Sequence, residues 1–499
     1  VDGTIALTTN GTNGNVTLVN DVGLAFAAST VDGVLSATAT TGDISDSGTQ
    51  TILGAATYIT GVADSNIILN DGANTYAAGV IFRADAGGET FGNLTFVDTG
   101  GIKLDSDANS AGDLFIDAAT DGAVGGDLTL TSVTGNITQG VTVAVGGATS
   151  LTTSANDATI TLSNTSNAFT GAITLTTNDN DGTVAHATID GGTTALVIAE
   201  STVVGDLTLT SGGAITDSGT LTIGGNLSAT TDAGDGVVNL GTLAVDGTIA
   251  LATNGTGDAL VVNDAGLTFA ASAVGQDLTA TATTGNIIDN AAVSVGRNLA
   301  VTATADDGTV NLGTLEVDGT IALTTNGTNG NVTLVNDVGL AFAASTVDGT
   351  LSATATTGNM TDSGALAISG TSAFITSANN ATIALDTTTN AFTGAVTLTT
   401  NDNDGTDADA TIDGGTTALV IAESTVVGDL TLTSGGAITD SGTLTIGGNL
   451  SATTDVNDIT INLGTLAVDG TIALTTNGTN GNVTLVNDVG LAFAASTVD

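Results

Sequence analysis

The sequence predicts an all-β chain wound as a parallel β-solenoid, a right-handed β-helix of about 20 stacked coils. Three observations carry that prediction. The first is period-2 alternation in short bursts, as in "DLTLTSGGAITDSGTLTIGG" over residues 206–225, with Gly, Asn and Asp between the bursts. Leu207 and Leu209 share one face and Thr208 and Thr210 the other, so leucine points in and threonine out. The second is repetition. Residues 1–32 return letter for letter at 317–348 and 468–499, and 205–249 match 428–472 almost completely at an offset of 223. The third is composition: 69 Gly, no Pro, no Trp and 3% aromatic residues leave Val, Ile, Leu and Ala to build a core, with Phe as the occasional large filler.

Cutting the chain after each terminal Gly divides residues 4–499 into 20 units of 20 to 34 residues. A single unit cannot close a core, but stacked units pair their strands in parallel and cover one another's apolar rows. An antiparallel sandwich also suits the turn spacing, yet gains nothing from near-identical units in register. The units therefore read as one continuous solenoid over 1–499. Within it, 172–249 and 395–472 are a duplicated block, 55–126 are less regular coils, and 1–32, 317–348 and 468–499 are identical connector coils.

The charge narrows the function classes. With 51 acidic residues against 3 basic ones, the net charge is −48, a field that repels nucleic acid and anionic membrane surfaces and attracts cations. Mean hydropathy of +0.36 is too high for a disordered acidic tail. No apolar run approaches the ~20 residues of a membrane helix, and the sequence opens at Val1 in mid-pattern with no signal segment. Absence of cysteine excludes disulfides and thiolate metal sites.

Units such as "GDLTLTSGGAITDSGTLTIGGNLSATT" resemble the repeats of filamentous-haemagglutinin-type exoproteins and related giant bacterial β-helical surface adhesins. The resemblance covers almost the whole chain and rests on a pattern of Gly, Thr, Leu and Asn rather than on chemical groups. It implies an exported, extracellular structural fibre or adhesin stalk, used for adhesion, matrix formation or surface structure. The amino-terminal secretion domain of two-partner exoproteins has no counterpart in these residues.

Chemistry-bearing residues are few, and an enzyme is not expected. His186 is the single histidine, and the 223-residue offset puts Asp409 in its place, which argues against an essential imidazole. Arg297 replaces Gly225 at a coil end and reads as a solvated cation. The non-duplicated coils 55–126 hold Tyr58, Tyr76, Arg83, Lys103 and the pair Asp105 and Asp107, the place for a sugar-binding or glycosidic site if the chain has one. They also make the alternative function, a glycan- or surface-binding adhesin module.

Calcium is the expected cation. "NDNDGTDADATIDGG", residues 401–415, gathers Asp402, Asp404, Asp407, Asp409 and Asp413 in one long turn, the hard oxygen ligands that Ca²⁺ takes. Its sister turn keeps Asp179, Asp181 and Asp190 but has Val184 and His186 where two further acids stand, so weaker binding is expected there. Outward threonine rows also suit an ice lattice, although unequal coils and interspersed Asp break the flatness. Finally, the interchangeable first and last coils suggest self-association end to end or side by side, because uncapped solenoid ends present unpaired strand edges.

Overall fold

The computed structural model describes all residues except 12, 85–89, 119, 181–183 and 404–406. Every named element is a β-strand of two to eight residues, and among the described residues the pairings between strands are parallel. The chain falls into two compact units, Val1–Gly257 and Asp258–Asp499. Each is a parallel β-solenoid.

A one-turn coil shows how the sequence makes this fold. Leu207–Ser211 is a five-residue strand, followed by Ile215–Asp217 and Leu221–Ile223, and then the chain reaches Leu227–Thr231 directly beside its starting point. The register pairs like with like: Leu207 with Leu227 and then Ile249, Thr208 with Ser228 and then Ala250. The predicted inward pair, Leu207 and Leu209, is fully buried, and Ile215, Leu221 and Ile223 of the same coil are at most 1% exposed. Each such Leu or Ile contributes about 1.5–3 kcal/mol of burial free energy. Larger fillers stack in the same column, as where Phe374 meets Phe342 and Phe392 edge-on at centroid distances of 6.1 and 5.9 Å.

Two polar ladders fix the coil ends. The terminal glycines stack directly, with Gly225 N–H donating to Gly205 O and Gly247 N–H to Gly225 O, both at 3.0 Å. A Cβ on Gly247 would lie 2.4 Å from Gly225 O, so the close approach of backbones is what requires glycine there. The residue after that glycine is commonly Asp or Asn, and its Oδ1 accepts the backbone N–H of its counterpart one coil on. Asp206 accepts from Asn226 (2.7 Å) and Asn226 from Thr248 (2.9 Å). The ladder thus satisfies strand-edge donors that a turn would otherwise leave open.

The count of coils differs from the sequence-based expectation. Ten successive pairings lead from Ile5 to Val238 in the first unit, and eleven from Ala259 to Phe493 in the second. Together they make about 22 turns rather than 20. The difference lies in the long units. In residues 320–349, Thr320–Asn326 stacks on Leu299–Asp306, but Val332–Asn336 then forms on the facing wall and Leu351–Ala355 stacks on it. That unit is one and a half turns, and the long strand leaves it on the other wall.

The same switch occurs at 172–205 and 395–428. In 80–126, read from the sequence as two coils, the chain makes only one and a half turns. One-and-a-half-turn blocks thus begin at residues 4, 80, 172, 320 and 395, and by sequence pattern at 248 and 471, each pair separated by two one-turn coils. The underlying repeat is therefore three and a half turns in 72 to 92 residues, and the offsets of 223, 316 and 467 residues are three, four and six of these repeats.

Candidate ligand cleft

The strand order is broken at one place in the first unit. Asp113–Asp117 lies between Val80–Ala84 and Ile102–Leu104, pairing Val80 with Leu114 on one side and Lys103 with Asp113 on the other. Ile102–Leu104 in turn pairs with Ile137–Gln139. Residues 105–112 carry the chain back so that a later strand inserts ahead of an earlier one. A line of short strands is interrupted at the same level. It runs through Ser29–Val31, Gln50–Ile52 and Thr75–Tyr76, and resumes only at Ala123–Val124. Among the described residues no pairing joins the two parts.

The interruption opens a cleft of about 340 Å³ lined by Tyr76, Asp98, Gly100–Lys103, Ala111–Asp113, Asn136 and Thr138. Asp98 and Asp113 are buried at 2% and 5% exposure. Burial pushes the Asp98 carboxyl up despite backbone N–H donors from Gly100, Tyr76 and Thr99. Asp105, Asp107 and Asp113 bring carboxylate oxygens within 4.8 Å of one another, the one such group among the described residues. Lys103 compensates them: its ammonium hydrogen-bonds Asp105 and lies 4.0 Å from Asp113 Oδ1. That hydrogen bond holds Asp105 below the usual carboxylate range and Lys103 above the usual amine value. Asp113 Oδ2 also accepts Ser110 N–H at 2.8 Å.

Sequence reasoning placed interest on Asp105 and Asp107 but missed Asp113 and Asp98. The signal was "DSDANSAGD", three acids in nine residues, hidden by the assumption that every coil follows in order. Tyr58 and Tyr76 are core rather than surface residues: their hydroxyls meet at 3.3 Å, and burial pushes both phenols up. Arg83 pairs with Asp117, and Arg297 with Asp277 across one coil.

The acids proposed for calcium are dispersed over different roles. Asp409 Oδ1 is a rung of the coil-end ladder, accepting Asp429 N–H at 2.7 Å. Asp413 is 7% exposed, its Oδ1 accepts Gly415 N–H at 2.7 Å, and burial pushes its carboxyl up. Asp407 N–H approaches Asp402 Oδ2 at 3.5 Å. Asp404 lies outside the described residues, as does Asp181 of the sister turn. Asp190 in that turn is bonded like Asp413, to Gly192 N–H at 2.8 Å.

The three-and-a-half-turn repeat also appears in comparison with known families. A model described as repeats of unknown function (DUF5649) matches residues 13–82, 92–176, 182–253, 329–399 and 407–463, well over half of the chain. The chain belongs to the DUF5649 repeat family. Each of the five DUF5649 matches falls in a different structural repeat, those beginning at 4, 80, 172, 320 and 395, so the family unit has about the length of one switching block with its two one-turn coils. The repeat beginning at 248 has no match of its own. No curated protein and no solved structure matches the chain.

Proposed function

We propose that this chain is a length-generating structural element of an exported surface fibre or adhesin stalk. The observation that carries this reading is the parallel stacking of coil on coil through each unit, with inward aliphatics and outward Thr, Ser, Asn and Asp. Eleven turns at ~4.8 Å stack to roughly 50 Å, so additional repeats lengthen such an element without a new core. The connector block supports the same reading. Leu340, Phe342 and Val347 are at most 1% exposed beneath the coil that follows them, whereas the identical Leu491, Phe493 and Val498 are 50%, 59% and 51% exposed. In the copy at 317–348 these side chains are buried by the coil stacked on them, so the block is built to sit inside a stack. Counter-cations, Ca²⁺ foremost, relieve the stacked aspartates in this reading.

Electron microscopy of the purified chain in Ca²⁺ and in chelator tests it. Elongated particles that join end to end in Ca²⁺ are expected. Compact round particles in both conditions would end the structural reading.

A further inference from the structure

The out-of-order strand Asp113–Asp117 turns a different chemistry outward from that of the neighbouring coils. Its outward residues are Asp113, Phe115 and Asp117, and their partners on neighbouring strands are Lys103, Ile81 and Arg83. Over roughly 13 Å of strand the surface therefore runs from a Lys–Asp pair in the cleft, across an Ile–Phe platform, to an Arg–Asp pair. On the row of Ile81 and Phe115 the preceding equivalents are small and hydroxylated, Thr17, Ser36 and Thr57, and on the row of Lys103 and Asp113 the following ones are Thr138, Thr161 and Thr188. Ile81 and Phe115 are half-buried, so the platform is open to contact.

We propose that the cleft and this platform together bind a saccharide that carries no anionic group. A sugar ring offers a C–H face to an aromatic platform and hydroxyls to flanking charged pairs. Asp98, Asp113 and Asp117 accept hydroxyl protons, while Lys103, Arg83 and Asn136 donate. Sialylated and sulfated ligands are repelled by five carboxylates at the site and by the −48 charge of the chain. A metal ion finds the Asp105 carboxylate already engaged by the Lys103 ammonium. A folded partner needs far more apolar area than two half-buried side chains present. The inference goes beyond a structural role, since no stacking contact needs Phe115 on the outside.

The test is an array of neutral, aminated, sialylated and sulfated oligosaccharides probed with the full chain, followed by calorimetry with a captured glycan. Capture by neutral or aminated glycans is expected, with Phe115→Ala and Asp113→Asn each weakening affinity at least about tenfold. Thr188→Ala, on the same wall, should leave it unchanged. Circular dichroism checks that each variant keeps its strands, and Phe115 lies on the outward face of its strand, opposite the buried Leu114 and Ile116. Capture confined to sialylated or sulfated glycans, no capture at millimolar glycan, or capture unaffected by both variants would overturn the proposal. Particle shape by microscopy is independent of all these outcomes, so the structural reading stands or falls separately.

Discussion

His186 Nδ1 accepts the backbone N–H of Asp206 at 2.8 Å, which makes the single histidine a rung of the coil-end ladder. Its counterpart Asp409 accepts the N–H of Asp429 in the same way at 2.7 Å. An imidazole nitrogen and a carboxylate oxygen are interchangeable there because the position asks only for an acceptor on a short side chain. His186→Asn should therefore be close to neutral, whereas His186→Ala should cost about 1 kcal/mol. Hydrogen exchange at the Asp206 amide reads this locally, with protection falling roughly fivefold in the alanine variant.

Acid should open the long turns. Asp307 and Asp458 sit at φ of 60° and 62°, and their Oδ1 atoms accept N–H groups from the loop one coil on, Asn329 for the first and Thr479 and Asn480 for the second. These bonds hold both carboxyls below the ordinary value of 3.8. The stabilisation is thus complete above pH 3.8 and disappears as pH falls through the lowered folded values. Asp98, Asp190 and Asp413 are raised by burial and act oppositely, gaining stability as pH falls through their folded values. A stability maximum in mild acid is expected, followed by loss below pH ~3.8. Asp307→Asn, which tolerates the left-handed backbone, should make Asn329 amide protection independent of pH in that range.

The glycine stack should tolerate no side chain. A Cβ on Gly370 would lie 2.4 Å from Gly349 O, 2.6 Å from the Gly349 carbonyl carbon and 2.8 Å from Thr350 N. Because those atoms are backbone, relief requires the coils to part, and Gly370→Ala should destabilise by about 1–3 kcal/mol. Gly313 has nothing within 4 Å of its Cβ position, so Gly313→Ala should fall within about 0.5 kcal/mol of the parent. Urea unfolding of the two variants side by side checks the contrast.

Phe374 should be the costliest truncation in its column. It is fully buried between Phe342 and Phe392, and Phe374→Ala leaves a void that two stacked rings cannot close. A loss of about 3–5 kcal/mol is expected. Limited proteolysis should then cut first near residues 371–394, since a solenoid loses stability locally before it loses it globally.

Much of the fold was legible in the sequence because period-2 alternation and Gly punctuation are local properties. Leu207 and Leu209 could be placed inside from spacing alone, and they are inside. The half-turn in residues 320–349 was not legible. "TIALTTN" and "VTLVN" are both good strands, and nothing local says that they occupy facing walls. The candidate site shows the same division. Asp105 and Asp107 stand out as neighbours in sequence, but Asp98 and Asp113 join them only where the strand order breaks.

By itself, then, the sequence determined that the chain is all-β, parallel, stacked and acidic, since each follows from alternation, repetition and composition. Tertiary structure alone decided which wall each strand joins, that His186 and Asp409 cap amides, and that Asp113–Asp117 inserts ahead of Ile102–Leu104. The physical reason is that a strand's inward and outward faces are fixed by its own side chains. Its partner is fixed by backbone hydrogen bonds, which any strand of the right length can offer.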